Sequence, residues 1–127
     1  YAVLAINQAL MMGIGPRLVN KLAVATALFE ALHVWFDGRV VLWPTASDGA
    51  IAGLFTLALF LMEDASKYLV HRLLHRWPVL WAFHRVHHTA ERLTPLTVYR
   101  THPVEAVIFA LRGVVVQAVA IGGFLFF

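Results

Sequence analysis

The 127-residue chain contains no cysteine. That absence removes disulfides, thiolate metal sites and cysteine nucleophiles together. Iron–sulfur clusters and thiolate-built structural zinc sites go with them. Internal repeats and low-complexity tracts are missing too. So is a readable signal peptide, because Arg17 and Lys21 follow the first apolar stretch instead of preceding it. No nucleic-acid partner is expected.

What the chain has in excess is apolar surface. Hydrophobic residues make up 61% of it, and its mean hydropathy is +0.75, against an apolar share of roughly 45–50% in soluble domains. A chain of this length forms one domain at most. So small a globule has too little interior to hide this much apolar surface, so lipid is the expected solvent. The chain opens on Tyr1 rather than methionine and stops inside the apolar run GGFLFF, which predicts a piece of a longer membrane protein. The expectation is a single membrane domain over 1–127, all-α, with multiple transmembrane helices.

Three segments are candidate spans: Leu22 to Phe36, Ala50 to Val70 and Val104 to Phe127. Each is interrupted by polar residues, the second by Glu63, Asp64 and Lys67, the third by Glu105, Arg112 and Gln117. A span needs about 20 mainly apolar residues. Of the ten Lys and Arg residues, six (Lys67, Arg72, Arg76, Arg85, Arg92, Arg100) lie between the second and third candidates, while the loop 37–48 has only Arg39. A positive-inside bias then places the 71–102 region and the pair Arg17 and Lys21 on the cytoplasmic side. Trp35 and Trp43 flank the charge-poor loop, as interfacial aromatics do.

Lys67 to Trp77 continues the second candidate as helix. Pro78 breaks it, because proline is tolerated in the first turn of a new helix but not in an interior. A second short helix is expected from about Pro78 to His88, with LTPL (93–96) ending that region. Pro103 followed by Glu105 opens the next helix, proline first and an acidic residue within the first turn.

An even spread of the seven histidines would place about two in the window 71–102; six are there. His71 and His75 are four apart, which stacks them on one helical face. His84, His87 and His88 share a face of the following helix. If the two helices fold back at Pro78, the faces converge on one volume, which is what a metal site requires. A solvated basic helix face imitates the first pair alone. Five imidazoles exceed what one metal with an open position needs, which suggests two metals, or one metal and a neighbour completed elsewhere. Imidazole suits iron, zinc, copper and nickel alike, so the ligands do not choose the metal. The single Glu-x-x-His match, Glu30 to His33, lacks the partner that a carboxylate-bridged bundle requires. His33 is therefore expected to be packed or interfacial. His102, just before Pro103, is expected to open a helix, contact substrate or ligate. Asp64, two helical turns before His71, is expected either to orient a ligand histidine or to pair with Lys67 at the membrane boundary.

The stretch EDASKYLVHRLLHRWPVLWAFHRVHHTAERLTPLTVYRTHPVE resembles the fatty acid hydroxylase/sterol desaturase superfamily of integral-membrane non-haem iron oxygenases. The resemblance is carried by Asp64, Tyr68, His71, His75, Trp81, His84, His87, His88, Arg100, His102, Pro103 and Glu105, with its core over about 50–127. It departs in having Thr89 and Thr94 where many members carry serine and then asparagine, and in lacking the later histidine cluster. The resemblance implies a di-iron centre that uses O2 to hydroxylate or desaturate C–H bonds of a lipid: sterol, fatty acyl, ether lipid or carotenoid. It implies His71, His75, His84, His87 and His88 as ligands of two iron ions. Asp64 and Tyr68 would support those ligands, and Arg100 would contact a polar head or carboxylate. Membrane lipids and an electron-donor protein would be its partners. Two alternatives are a haem-binding electron-transfer membrane protein and a non-catalytic module binding anionic lipid.

Overall fold

The computed structural model describes residues 5, 6, 9, 13, 20–92, 94, 97 and 100–127. Arg17 and most of LTPL lie outside the described residues. Within them there are helices and no strand, as expected: α1 (Lys21–Trp35), α2 (Asp48–Arg76), α3 (Pro78–His88) and α4 (Pro103–Phe126). The chain divides into two compact units, residues 19–66 with 113–127 and residues 1–18 with 67–112.

In the first unit, α1 is opened by Asn20, whose side chain accepts a hydrogen bond from the Leu22 amide at 3.0 Å. That satisfies one of the donors a helix start leaves orphaned. It is closed by Gly38, whose amide donates to the His33 carbonyl at 3.0 Å, with Asp37 at φ +52° between them. This is the six-to-one closure that needs a left-handed residue after the helix, a conformation aspartate tolerates better than most. The Ser47 hydroxyl then accepts from the Ala50 amide and opens α2.

Against these helices packs the end of α4. Ala25, Ala118 and Ala120 are buried, and a Cβ on Gly122 would lie 2.8 Å from the Ala25 carbonyl oxygen. Small residues here let two backbones approach. Phe126 is fully buried, its ring 5.2 Å from His33 and 5.6 Å from Phe36. His33 donates from Nδ1 to the Phe29 carbonyl, and its ring lies tilted against that of Phe29 at 4.4 Å, so it is packed, as expected of a lone histidine. Phe55 of α2 meets Phe124 of α4 at 5.2 Å. A polar string crosses the same unit: Lys21 Nζ donates to Gln117 Oε1 at 3.0 Å, and Gln117 Nε2 donates to Glu63 Oε1 at 3.2 Å. Two of the polar residues that interrupt the apolar segments, Glu63 and Gln117, are thereby joined to each other.

Among the described residues, two helices are long and apolar enough to cross a membrane, α2 and α4. Their large apolar side chains point outward: Leu54, Leu57, Phe60 and Leu61 on α2, and Leu111, Val115 and Val119 on α4, are exposed. Outward apolar faces of this extent suit a lipid surround. The first candidate, Leu22 to Phe36, is shorter than a crossing needs. At a rise of about 1.5 Å per residue, the 15 residues of α1 reach about 22 Å, against a hydrocarbon core of about 30 Å.

The second unit is built at the helix break. α2 runs to Arg76 and α3 starts at Pro78, so Trp77 alone separates them. Trp77 is extended (φ −97°, ψ 122°), and Pro78 occupies the first helical position of α3. There its missing N–H costs nothing. Among the described residues, Leu74, His84 and Glu105 are the buried side chains of this unit.

Candidate metal centre

Four imidazoles meet where α2 turns into α3. The ligand atoms of His71, His75, His84 and His88 all lie within 4.8 Å of one another. Nε2 of His75 is 3.1 Å from that of His71 and 3.2 Å from that of His84; His88 Nε2 is 3.1 Å from His84 Nε2. His71 and His75 come from one face of α2, His84 and His88 from one face of α3. The break at Trp77 brings the two faces together.

Hydrogen bonding cannot account for this arrangement. His84 Nδ1 lies 2.9 Å from Glu105 Oε1; against an ionised carboxylate Nδ1 is the donor and Nε2 carries a lone pair, since a neutral imidazole has only one N–H. Nε2 of His75 faces two other Nε2 atoms, and so does that of His84. One ring nitrogen has a single in-plane direction and cannot serve two such neighbours. A cation between the rings would accept these lone pairs. The three separations of 3.1–3.2 Å suit neighbouring ligands of one ion with metal–nitrogen bonds of about 2.1 Å, and the outermost ring nitrogens, within 4.8 Å of one another, would draw closer on binding. The donor set therefore fits a metal ion.

The electrostatics agree. Burial lowers the His84 pKa from 6.5 to about 4, and the nearby His75, His88 and His87 act in the same direction. His88 is lowered as well, first by desolvation and then by His75 and His87. At neutral pH both are uncharged, the form that binds a metal. Trp81 lies beside the cluster, its ring 5.3 Å from His75 and 5.4 Å from His88.

The other expected site residues are placed differently. His87 is not in the four-histidine group; its ring stacks on His84 at 5.7 Å, and its Nδ1 is buried without a hydrogen-bond partner. Asp64 is exposed, and no hydrogen bond joins it to a histidine or to Lys67 among the described residues. Tyr68 is exposed, and its hydroxyl accepts from Arg72 Nη1 at 3.3 Å. Arg100 is exposed. His102 takes the helix-opening role: its Nδ1 accepts from the Val104 amide at 3.2 Å, and its ring packs on Phe83 at 4.9 Å.

Glu105 is the site residue to which sequence reasoning gave no role at the cluster. It is expected from sequence as a first-turn acid of α4 and is found against His84, twenty-one positions away in the chain. Its conjunction with Pro103 was visible. The partner it reaches was not.

Among the described residues, helices of membrane-crossing length stand with a four-histidine cluster able to hold a metal, which defines a class: helical proteins with candidate membrane spans and a candidate metal site. Within that class the family is specific. The fatty acid hydroxylase family model matches residues 56–127, more than half of the chain and the whole of the histidine region. The chain belongs to the fatty acid hydroxylase family. Comparison with curated proteins and with solved structures found no match. Membership points to an oxidoreductase of the lipid hydroxylase or desaturase type.

Proposed function

We propose that this chain carries the metal-binding region of a membrane-bound non-haem di-iron oxygenase. It would use O2 to hydroxylate or desaturate a C–H bond of a lipid, sterol or fatty acyl. One observation carries the proposal: in a chain of the fatty acid hydroxylase family, four ring nitrogens converge within 4.8 Å with no hydrogen-bonding pattern that satisfies them. The C–H bonds of a lipid chain are not acidic, so general acid–base groups cannot open them. Bound iron would supply O2 activation and accept electrons, while the protein contributes binding and orientation. His71, His75, His84 and His88 would hold one ion. His87, with a buried and unpartnered Nδ1, would serve a second.

The remaining roles follow from placement. α2 has 29 residues, about 43 Å of helix against a hydrocarbon core of about 30 Å. Its C-terminal turns, with His71 and His75, would therefore stand at or beyond the polar boundary. The positive-inside bias of residues 67–100 against the loop 37–48 supports two or more crossings with the histidines on the cytoplasmic side. The exposed edges of His75 and His88 would face an electron-donor protein, and Arg100 would meet a polar lipid head. A haem reading is less well supported, because four imidazole nitrogens this close together leave no room for a porphyrin between an axial pair.

The test is the metal content of the chain purified in detergent. Wild type is expected to retain iron, and His84→Ala and His88→Ala to lose most of it. A strong Soret band, or iron retention unaffected by both substitutions, would overturn the proposal.

A further inference from the structure

We propose that Glu105 is a positioning residue. By accepting the proton-bearing Nδ1 of His84, it keeps the His84 lone pair on Nε2 and aims it at the point shared with His71, His75 and His88. The inference rests on reading the cluster as a metal centre.

His84 and Glu105 are both buried, at 0% and 2% exposure, and 2.9 Å apart. A buried imidazole with no fixed partner could carry its proton on either nitrogen, and a proton on Nε2 would block the side that faces the other three rings. A carboxylate accepts and, when ionised, cannot donate, so only the Nδ1–H tautomer satisfies this contact. The second oxygen, Oε2, has no hydrogen-bond partner among the described residues, which leaves the His84 bond as the carboxylate's side-chain hydrogen bond there. The carrier is fixed as well. Glu105 is the third residue of α4, behind Pro103, and the His102 imidazole receives the Val104 amide at the same helix start. The first turn of a helix, where backbone N–H groups gather partial positive charge, favours an anion at this position. The start of α4 is thus a rigid arm that delivers one acceptor to one nitrogen of the cluster. A histidine so oriented is a better ligand, because the carboxylate fixes the ring and raises its basicity.

The test uses the full chain in detergent with zinc as the probe, read by nitrogen-15 NMR of the histidine rings and by competitive zinc titration. In metal-free wild type, His84 is expected as the Nδ1–H tautomer. Glu105→Ala should populate the Nε2–H form and weaken zinc binding by about 10–100-fold, the usual effect of losing a ligand's orienting partner. Glu105→Gln, whose amide oxygen still accepts, should keep the wild-type tautomer and bind zinc with intermediate affinity. A role confined to opening α4 would lower the thermal midpoint of the metal-free protein and leave both the tautomer and the zinc affinity in place. The proposal is overturned by an Nε2–H tautomer in wild-type metal-free protein, or by a Glu105→Ala affinity within twofold of wild type. If Glu105→Ala fails to fold, the wild-type spectrum and Glu105→Gln decide. If wild type binds no zinc or iron, the metal reading fails, and the wild-type ring spectrum still decides the role of Glu105.

Discussion

Nε2 of His75 and Nε2 of His84 face each other at 3.2 Å across the Trp77–Pro78 break. One is the last histidine of α2 and the other the first of α3, so the bend between two helices is also where the two histidine pairs of the cluster meet. Whatever changes that bend changes the donor set.

Pro78→Ala therefore tests the hinge. Proline disfavours a continuous helix by about 3 kcal/mol relative to alanine, and its removal lets α2 run straight into α3. Metal affinity is expected to fall by roughly tenfold or more, at 1.4 kcal/mol per decade, while helical circular dichroism stays the same or rises. Unchanged affinity would show that Trp77 and the packing hold the bend without proline.

Acid should destabilise the metal-free protein through His84. Its pKa is about 4 in the folded state against 6.5 unfolded, so the unfolded state binds the proton more tightly. The stability associated with a neutral His84 is fully present above pH 6.5. It is lost progressively as pH falls from 6.5 towards 4, by about 3 kcal/mol in all. Thermal midpoints of metal-free protein measured between pH 7 and 4.5 should decline over this window, and the decline should flatten in His84→Leu. Bound metal should be released over the same range, since protons compete for the same lone pair.

Gly122 sets the approach of α1 to α4. Gly122→Ala puts a Cβ 2.8 Å from a backbone oxygen, and backbone must shift to make room. A loss of about 1–3 kcal/mol is expected, the usual effect of overpacking. Gly123→Ala is the control, because a Cβ there meets nothing within 4 Å and alanine is the better helix former. Equal thermal midpoints for the two variants would contradict the packing described for α1 and α4.

The string from Lys21 through Gln117 to Glu63 should show coupling. Gln117→Leu removes both bonds and should cost about 1 kcal/mol, in line with interhelical hydrogen bonds in membrane proteins. A double-mutant cycle with Glu63→Gln in mixed micelles should give a non-zero coupling energy. Strict additivity would show that the two side chains do not sense each other.

The helix break, the extents of α2, α3 and α4, and the four-histidine convergence were legible because they depend on local rules. Proline fixes a boundary, and three- or four-residue spacing fixes a face. The spacing did not distinguish His87 from His88. Both sit on the general face of His84, but a helix advances about 100° per residue, so His88 falls within about 40° of His84 and His87 about 60° to the other side. That difference separates a ring nitrogen in the cluster from one stacked beside it. The Glu105–His84 bond was out of reach for a different cause: it is a tertiary contact, with no periodicity linking its ends. Asp64 is a position where spacing left two roles open. Two helical turns put it on the His71 face in sequence, and the structure leaves it exposed. The extent of α1 matches its candidate, but an apolar stretch of 15 residues satisfies composition without satisfying reach.

The single-residue join between α2 and α3 bears on the order in which the centre can form. His71, His75, His84 and His88 belong to eighteen consecutive residues, so gathering them closes only a short loop, and closure entropy grows with loop length. Such low contact order favours early assembly. The ring nitrogens can find one another before α4 has been made, and Glu105 then arrives as the last piece, locking a histidine already in place.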